Sequence, residues 1–285
     1  MQVPLMAWPN GKRIAVAVSV MFETWSDGAA PSYSVQTTHL KGGTVDHAGH
    51  AWSTYGGREG VWRIIRTLDR RQVPATFFTN ARCAEIYPDA VRQIVRSGHD
   101  VAGHAYTQDK LLTYMTPDEE RATIFRSLEV LAEATGKPPT GWLSPVVAFT
   151  PHTAGFLAEA GLTWHNDVTY VDMPHRIHTE HGVIAGVPKS DFTDNRVLKS
   201  SSRGLYEVYT STFDYLYRHE PMSMLVLTLH CHFGGRPMVT AVFDQIVEYI
   251  AGHPDVWFCR LEELGDWALA QTQDEHPYRG RYFRP

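Results

Sequence analysis

Cysteine is scarce in this sequence: 285 residues contain three, Cys83, Cys231 and Cys259, widely separated. None has the close pairing of a zinc ribbon or a redox motif, so three reduced thiols are expected and a disulfide framework is excluded. Long apolar runs are missing too. The longest, such as residues 14–22, have strand length and fall well short of the roughly 20 residues that a bilayer-spanning helix needs. Residues 1–13 carry Pro4, Pro9 and Gly11 before any apolar run, not the charged-then-apolar order of a signal peptide. The expected location is therefore the cytoplasm. Basic runs are absent as well. The 26 Lys and Arg are scattered and the formal net charge is −5, which argues against nucleic acid and against an anionic membrane surface as partners.

What is present is an alternation of strand-like and helix-like segments, the pattern of βα units around a parallel sheet. Residues 13–21 are nearly all apolar and β-branched, as a strand buried on both faces requires. A polar, Gly-rich stretch, residues 24–57, contains Tyr33, His39, Asp46, His47 and His50 and is expected to be a long loop: a lid, a wall of a site or an oligomer contact. Val61, Ile64, Ile65 and Leu68 fall at i, i+3, i+4 and i+7, the apolar stripe of a helix. Further strands are expected at residues 73–78, 100–102, 142–144, 183–188, 224–229 and 256–258. The helices between them carry recognisable ends, such as Thr116-Pro117-Asp118-Glu119 at a start and Gly136 at a stop. Six or seven units of this kind, with no repeat or linker, predict one domain over residues 1–285. Its expected form is a distorted (β/α) barrel.

In parallel α/β folds the loops after the strand ends build the site. The polar residues directly following each apolar run are therefore the candidates. Glu23 follows the first strand, flanked by Phe22 and Trp25; His104 and Tyr106 follow the third. Ser144 follows the fourth, and His230-Cys231-His232 the penultimate one. With fifteen histidines in the chain, imidazole is an abundant acid–base or metal-binding group. A carboxylate and imidazoles on one rim can act in two ways. They can hold a divalent metal, zinc being the natural choice, that acidifies water. Alternatively Glu23, its pKa raised by Phe22 and Trp25, serves as general base while a histidine opposite protonates a leaving nitrogen. His230 and His232, two residues apart, point the same way if the strand continues through them. Cys231 has no neighbours that would activate a thiol.

These segments resemble the polysaccharide deacetylase (NodB-homology, carbohydrate esterase 4-like) superfamily. The matching stretches are Tyr55-Gly56-Gly57-Arg58-Glu59-Gly60-Val61-Trp62-Arg63, Pro74-Ala75-Thr76-Phe77-Phe78, Gly98 through Tyr106, Thr135 through Trp142, and His230 through Pro237. The closest likeness is to the intracellular peptidoglycan-deacetylase-type enzymes and the NodB-type allantoinases and cyclic imidases. The resemblance implies a NodB-type barrel and hydrolysis of non-peptide carbon–nitrogen bonds, and it maps Glu23, His104 and His230 onto catalytic positions. By the same resemblance Arg58 lies on the rim, and Asp167 orients a histidine. The sequence departs from the deacetylases in having Phe22-Glu23-Thr24 in place of paired aspartates. Gln108 also stands where the second histidine of a His-x-x-x-His metal motif belongs. A resident metal would need Glu23, His104 and a substitute ligand such as His230 or a loop histidine.

Three functions remain open on the sequence. The first is acid–base ring opening of a small cyclic amide, imide or ureide, without a metal or with one divalent ion. The second is metal-dependent N-deacetylation of an amino sugar. The third is non-catalytic carbohydrate binding. A small-molecule substrate and a homo-oligomer are expected.

Overall fold

The computed structural model describes residues 7–35, 40–41, 43–197 and 201–283. His39 lies outside the described residues. These form one nine-stranded sheet. The strands are β1 (Ile14–Phe22), β2 (Thr76–Thr79), β3 (Asp100–Gly103), β4 (Gly141–Trp142), β5 (Trp164–Val168), β6 (His175–Thr179), β7 (Gly182–Pro188), β8 (Ser223–His230) and β9 (Val256–Cys259). Their order is β6-β7-β5-β4-β3-β2-β1-β8, with β9 added beside β1. All neighbours run parallel except β6, which pairs antiparallel with β7. Helices cover the outside, and the curled sheet is the expected α/β barrel of NodB type.

β1 shows why the sheet curls as it does. All nine of its residues are buried, and they alternate with the strand period of two. Ile14, Val16, Val18, Val20 and Phe22 pack outward against the helix layer, with Ile64, Leu68, Phe243 and Ile250 in the same cluster. Ala15, Ala17 and Met21 face inward, where Trp8, Phe78 and Trp164 fill a narrow interior. Small residues inside and large ones outside are what a tightly curved sheet allows.

The inward register carries through to the strand ends. Glu23 follows inward-facing Met21 at i+2, His104 follows Ala102, and His230 follows Val226 and Thr228. Three chemically active side chains therefore arrive at one end of the barrel because of where the alanines and valines sit below them.

The barrel has a seam. Among the described residues no ladder joins β8 to β7, so the outer edge of β8 needs other partners. Side chains from residues 190–209 supply them. Ser190 Oγ donates to the Val226 carbonyl at 2.5 Å, the Thr228 amide donates to Tyr209 Oη at 2.9 Å, and the His230 amide donates to Asp194 Oδ2 at 2.8 Å.

The expected loop over residues 24–57 is partly helical. His47–Tyr55 is a helix whose N-cap Asp46 accepts from the Gly49 amide at 2.8 Å. Its sequence, HAGHAWSTY, carries too few apolar residues to show a period; burial of Trp52 and Ser53 holds it instead. Two strands were also without a sequence signal. β5 reads Trp-His-Asn-Asp-Val, yet every residue in it is buried. β6 is an edge strand with two histidines and an arginine.

Tyr209 tests the seam. Its hydroxyl accepts from Thr228 and donates to the Phe192 carbonyl at 2.9 Å, so Tyr209→Phe strands the buried Thr228 amide. The variant should lose about 1–3 kcal/mol of stability in urea denaturation. An unchanged midpoint would mean that the seam does not depend on this hydroxyl.

Candidate active site

Glu23 sits at the centre, its side chain 1% exposed and ringed by imidazoles. His104 Nε2 lies 3.5 Å and His230 Nε2 4.0 Å from Glu23 Oε1, and His232 Nδ1 lies 3.7 Å from Oε2. Two straps set this geometry. Asn80, fully buried, accepts from the Thr24 amide at 2.9 Å and donates its side-chain NH₂ to the His104 carbonyl, tying the end of β1 to the end of β3. The Gln108 amide donates to the Thr24 carbonyl at 2.8 Å. Between them Ala105 is forced to φ 54°, a left-handed conformation that turns the chain sharply after His104.

Each imidazole has a distinct state. His104 Nδ1 faces the Leu143 carbonyl at 2.6 Å, a partner that only accepts, so the proton sits on Nδ1 and the Nε2 lone pair faces Glu23. His230 Nδ1 lies 2.6 Å from Asp194 Oδ1. Burial works against the charged form of His230. Asp194 and then Glu23 outweigh burial and raise its pKa, which favours the imidazolium. His232 is fully buried with Trp25 and Trp52 edge-on to it, and Tyr33 Oη lies 3.0 Å from its Nε2. Burial pushes His232 down to about 3 against the pull of Glu23, so it is neutral.

Glu23 itself differs from the expectation that Phe22 and Trp25 would raise its pKa. Burial does push it up, but the imidazoles around it, His230 foremost, outweigh burial and hold it at about 2. It is an ionised anchor, not a carboxyl poised near neutrality. The poised carboxyl is Asp167, which burial raises to about 6 despite two bonds from Ser144, Oγ to Oδ2 at 2.7 Å and the amide to Oδ1 at 2.8 Å.

The cavity these groups line has a volume of about 280 Å³, and Glu23, His104, Gln108, Ser144, Lys189 and His230 all face it. Val146 and Val147 form part of its wall, with φ of 57° and 59°. Tyr33 closes one side, and Asn195 and Arg196 another.

Of the residues singled out from sequence, Glu23, His104, Ser144 and His230 line the cavity. His232 and Trp25 stand behind Glu23, and Asp167 beneath Ser144. His230 and His232 both face Glu23, one at each oxygen, although β8 ends at His230, and only His230 lines the cavity. Tyr106 is elsewhere: its hydroxyl donates to Glu85 Oε2 at 2.8 Å on the outer side. Arg58 is solvent-exposed and does not line the cavity. The glycines of its motif matter in another way. A Cβ on Gly60 would lie 1.9 Å from the Cys231 carbonyl oxygen, so Gly56–Gly60 lets the chain pass close beneath the His230–His232 turn. His47 and His50 belong to the helix before it, and His50 Nδ1 lies 3.2 Å from the Ala29 carbonyl.

Sequence reasoning missed Asp194, Lys189, Asn195 and Arg196. All lie just beyond the end of β7. Asp194 approaches closely because residue 234 is glycine; a Cβ there would lie 2.5 Å from Asp194 Oδ2.

Residues 45–165 match the polysaccharide deacetylase family model. A peptidoglycan deacetylase from Helicobacter pylori is 24% identical over 248 residues, 74% of this chain and 84% of that protein. A probable polysaccharide deacetylase from Pseudomonas aeruginosa PAO1 superposes with a TM-score of 0.84 at 25% identity, covering 94% of this chain and 95% of that one. Over most of its length the chain is similar to polysaccharide deacetylases. An allantoinase structure is also similar, with a TM-score of 0.84 and 28% identity over 95% of this chain and 94% of that one. A superfamily hydrolase of carbon–nitrogen bonds is what the site must explain.

A divalent metal does not fit the residues present. Among the described residues no group of three or more His, Cys, Asp or Glu is placed to hold one. Gln108, whose buried Oε1 has no partner, is a weak ligand in the place of an imidazole.

The buried histidines predict a pH signature. His232 and His165 both have pKa values below the ordinary 6.5, at about 3 and about 4, each chiefly through burial. As pH falls below 6.5 the unfolded chain takes up protons that the folded chain refuses, so both withdraw stability. Asp167 acts in the opposite sense between 3.8 and about 6, where the folded carboxyl is protonated first. His232→Gln should make stability fall less steeply between about pH 6 and pH 4, by about 1.4 kcal/mol per pH unit. Urea titrations across that range measure it; a slope equal to the parent's would mean that His232 titrates normally.

Proposed function

We propose that this superfamily member opens a small cyclic amide, imide or ureide by acid–base catalysis. The observation that carries this reading is the size and lining of the site. About 280 Å³ lies at the lower end of the range for small-molecule sites and has room for one ring-sized molecule. Lys189, Asn195 and Arg196 surround it with donors for a carbonyl-rich substrate. The similarity to an allantoinase over most of both chains supports the same class of substrate.

In this reading a water held between Glu23 Oε1 and the His104 Nε2 lone pair attacks the substrate carbonyl carbon. His104 takes the proton from the water, and the ionised Glu23 beside it stabilises the imidazolium that forms. As the carbon–nitrogen bond breaks, His230 Nε2–H gives its proton to the leaving nitrogen. Asp194 holds that ring charged and oriented until the transfer. The carboxylic acid so formed releases water's second proton to solvent and leaves as a carboxylate past Lys189 and Arg196, while the proton taken up by His104 returns through solvent to His230. Ser144, fixed by Asp167, offers a hydroxyl on the opposite wall.

N-deacetylation of an amino sugar is the second reading, favoured by the peptidoglycan deacetylase among the relatives. The two differ in product: ring opening releases nothing, whereas deacetylation releases acetate.

Glu23→Gln, His104→Ala and His230→Gln should each lower kcat at least about 100-fold with the fold intact, the scale of a general acid or base. The assay uses five- and six-membered cyclic imides and ureides beside N-acetylglucosamine oligomers, with acetate release followed in parallel. Acetate from the oligomers with no ring opening would replace the first reading with the second. Loss of ring opening on chelation, restored by added zinc, would overturn the metal-free chemistry.

A further inference from the structure

Two cations on the wall of the catalytic cavity meet no anion. Lys189 directly follows β7, Arg196 sits in the short helix Asp194–Val197, and both line the cavity. Among the described residues no carboxylate oxygen lies within 4.0 Å of either, and neither side chain has a hydrogen bond. Arg196 is exposed. Lys189 is half-buried, its backbone held by the amide donating to the Val168 carbonyl at 3.0 Å.

The two act on each other. Burial first, and then the like charge of Arg196, lower the pKa of the Lys189 ammonium. Asp167, Asp191 and Glu23 each pull the other way more weakly than Arg196 pushes. Each of these carboxylates is also committed elsewhere or outside the cavity. Asp167 takes both bonds from Ser144, and Asp191 is exposed and does not line the wall. Glu23 is the one acidic residue on the wall among those described, and the charge favoured on His230 already balances it. An ammonium drawn out of water beside a guanidinium is repelled unless an anion joins them. The wall itself supplies none.

We propose that the ring taken by this site carries a carboxylate of its own, received by Lys189 and Arg196 while the scissile carbonyl lies at Glu23 and His104. This rests on the ring-opening reading above and narrows its substrate to an anionic cyclic imide or ureide. Arg196 brings a planar edge of two parallel donors, and Lys189 a compact charge. The carboxylate made by ring opening is a different group. It forms where the attacking water stood, beside Glu23 Oε1, and neither cation is within 4.0 Å of Glu23.

A hydantoin ring with an acetate side chain and its neutral acetamide isostere separate the two groups, because both rings yield the same new carboxylate. Calorimetric titration of the full chain carrying His104→Ala measures binding without turnover, and kcat/KM is measured on the parent. The acetate ring should bind at least about tenfold more tightly, a preference that shrinks as salt is added. Lys189→Met and Arg196→Gln should each remove most of that preference. Lys12→Met, at the opposite end of β1, changes the net charge equally and should leave it intact. Equal binding of the two rings overturns the proposal, as does no binding of either. So does a preference that survives both cation variants or falls equally in Lys12→Met. Failure of the ring-opening reading looks different: the acetate ring binds with the expected preference, yet the parent opens neither ring. That result keeps the anion pair and removes the reaction.

Discussion

A carboxylate buried at the end of a barrel strand must be neutralised where it stands, and the rest of this site follows from that demand. Transfer of an isolated charge into a protein interior is prohibitive, so a buried anion survives only with partners. Glu23 has three imidazoles around it, but only a charged one compensates a full negative charge. His230 takes that role and needs a second carboxylate, Asp194, to hold its proton against burial. Asp194 needs Gly234 to make room for it. His232, which burial keeps neutral, packs against the other carboxylate oxygen. One buried ion thus dictates residues spread over more than two hundred positions of sequence.

Asp194 also closes the fold. Its Oδ2 receives the His230 amide on the open edge of β8, while its Oδ1 holds the His230 ring. The same side chain finishes the sheet and charges the acid. Stability of the seam and acidity of His230 are therefore not separately adjustable, because a replacement that keeps the edge covered must also keep a negative charge 2.6 Å from Nδ1.

The sequence was most legible where a single rule operates. β1 announced itself through a continuous apolar run, the helix Pro117–Thr135 through a capping box at Thr116 and Glu119 and a left-handed Gly136. Glu23, His104 and His230 were legible as the polar residues that follow buried strands. β5 was not, because its polar residues are satisfied by partners far along the chain: Asn166 donates to the Val187 and Pro188 carbonyls, and Asp167 takes both bonds from Ser144. A strand whose burial rests on such bonds looks like a loop when read locally. Arg58 misled for a related reason. Its neighbours are glycines because one backbone passes against another, and the guanidinium between them points to solvent. Asp194, 36 residues before His230, has no local mark at all.

Val146 and Val147 have a further consequence. Branched side chains strongly disfavour the left-handed region, and two in succession there represent about 1–3 kcal/mol each that folding has already absorbed. The wall they form is thus shaped before any ligand arrives, and binding need not spend order on it. Stiffness of this kind selects by outline. A ligand of matching contour meets a wall already in place beside the Ser144–Asp167 pair.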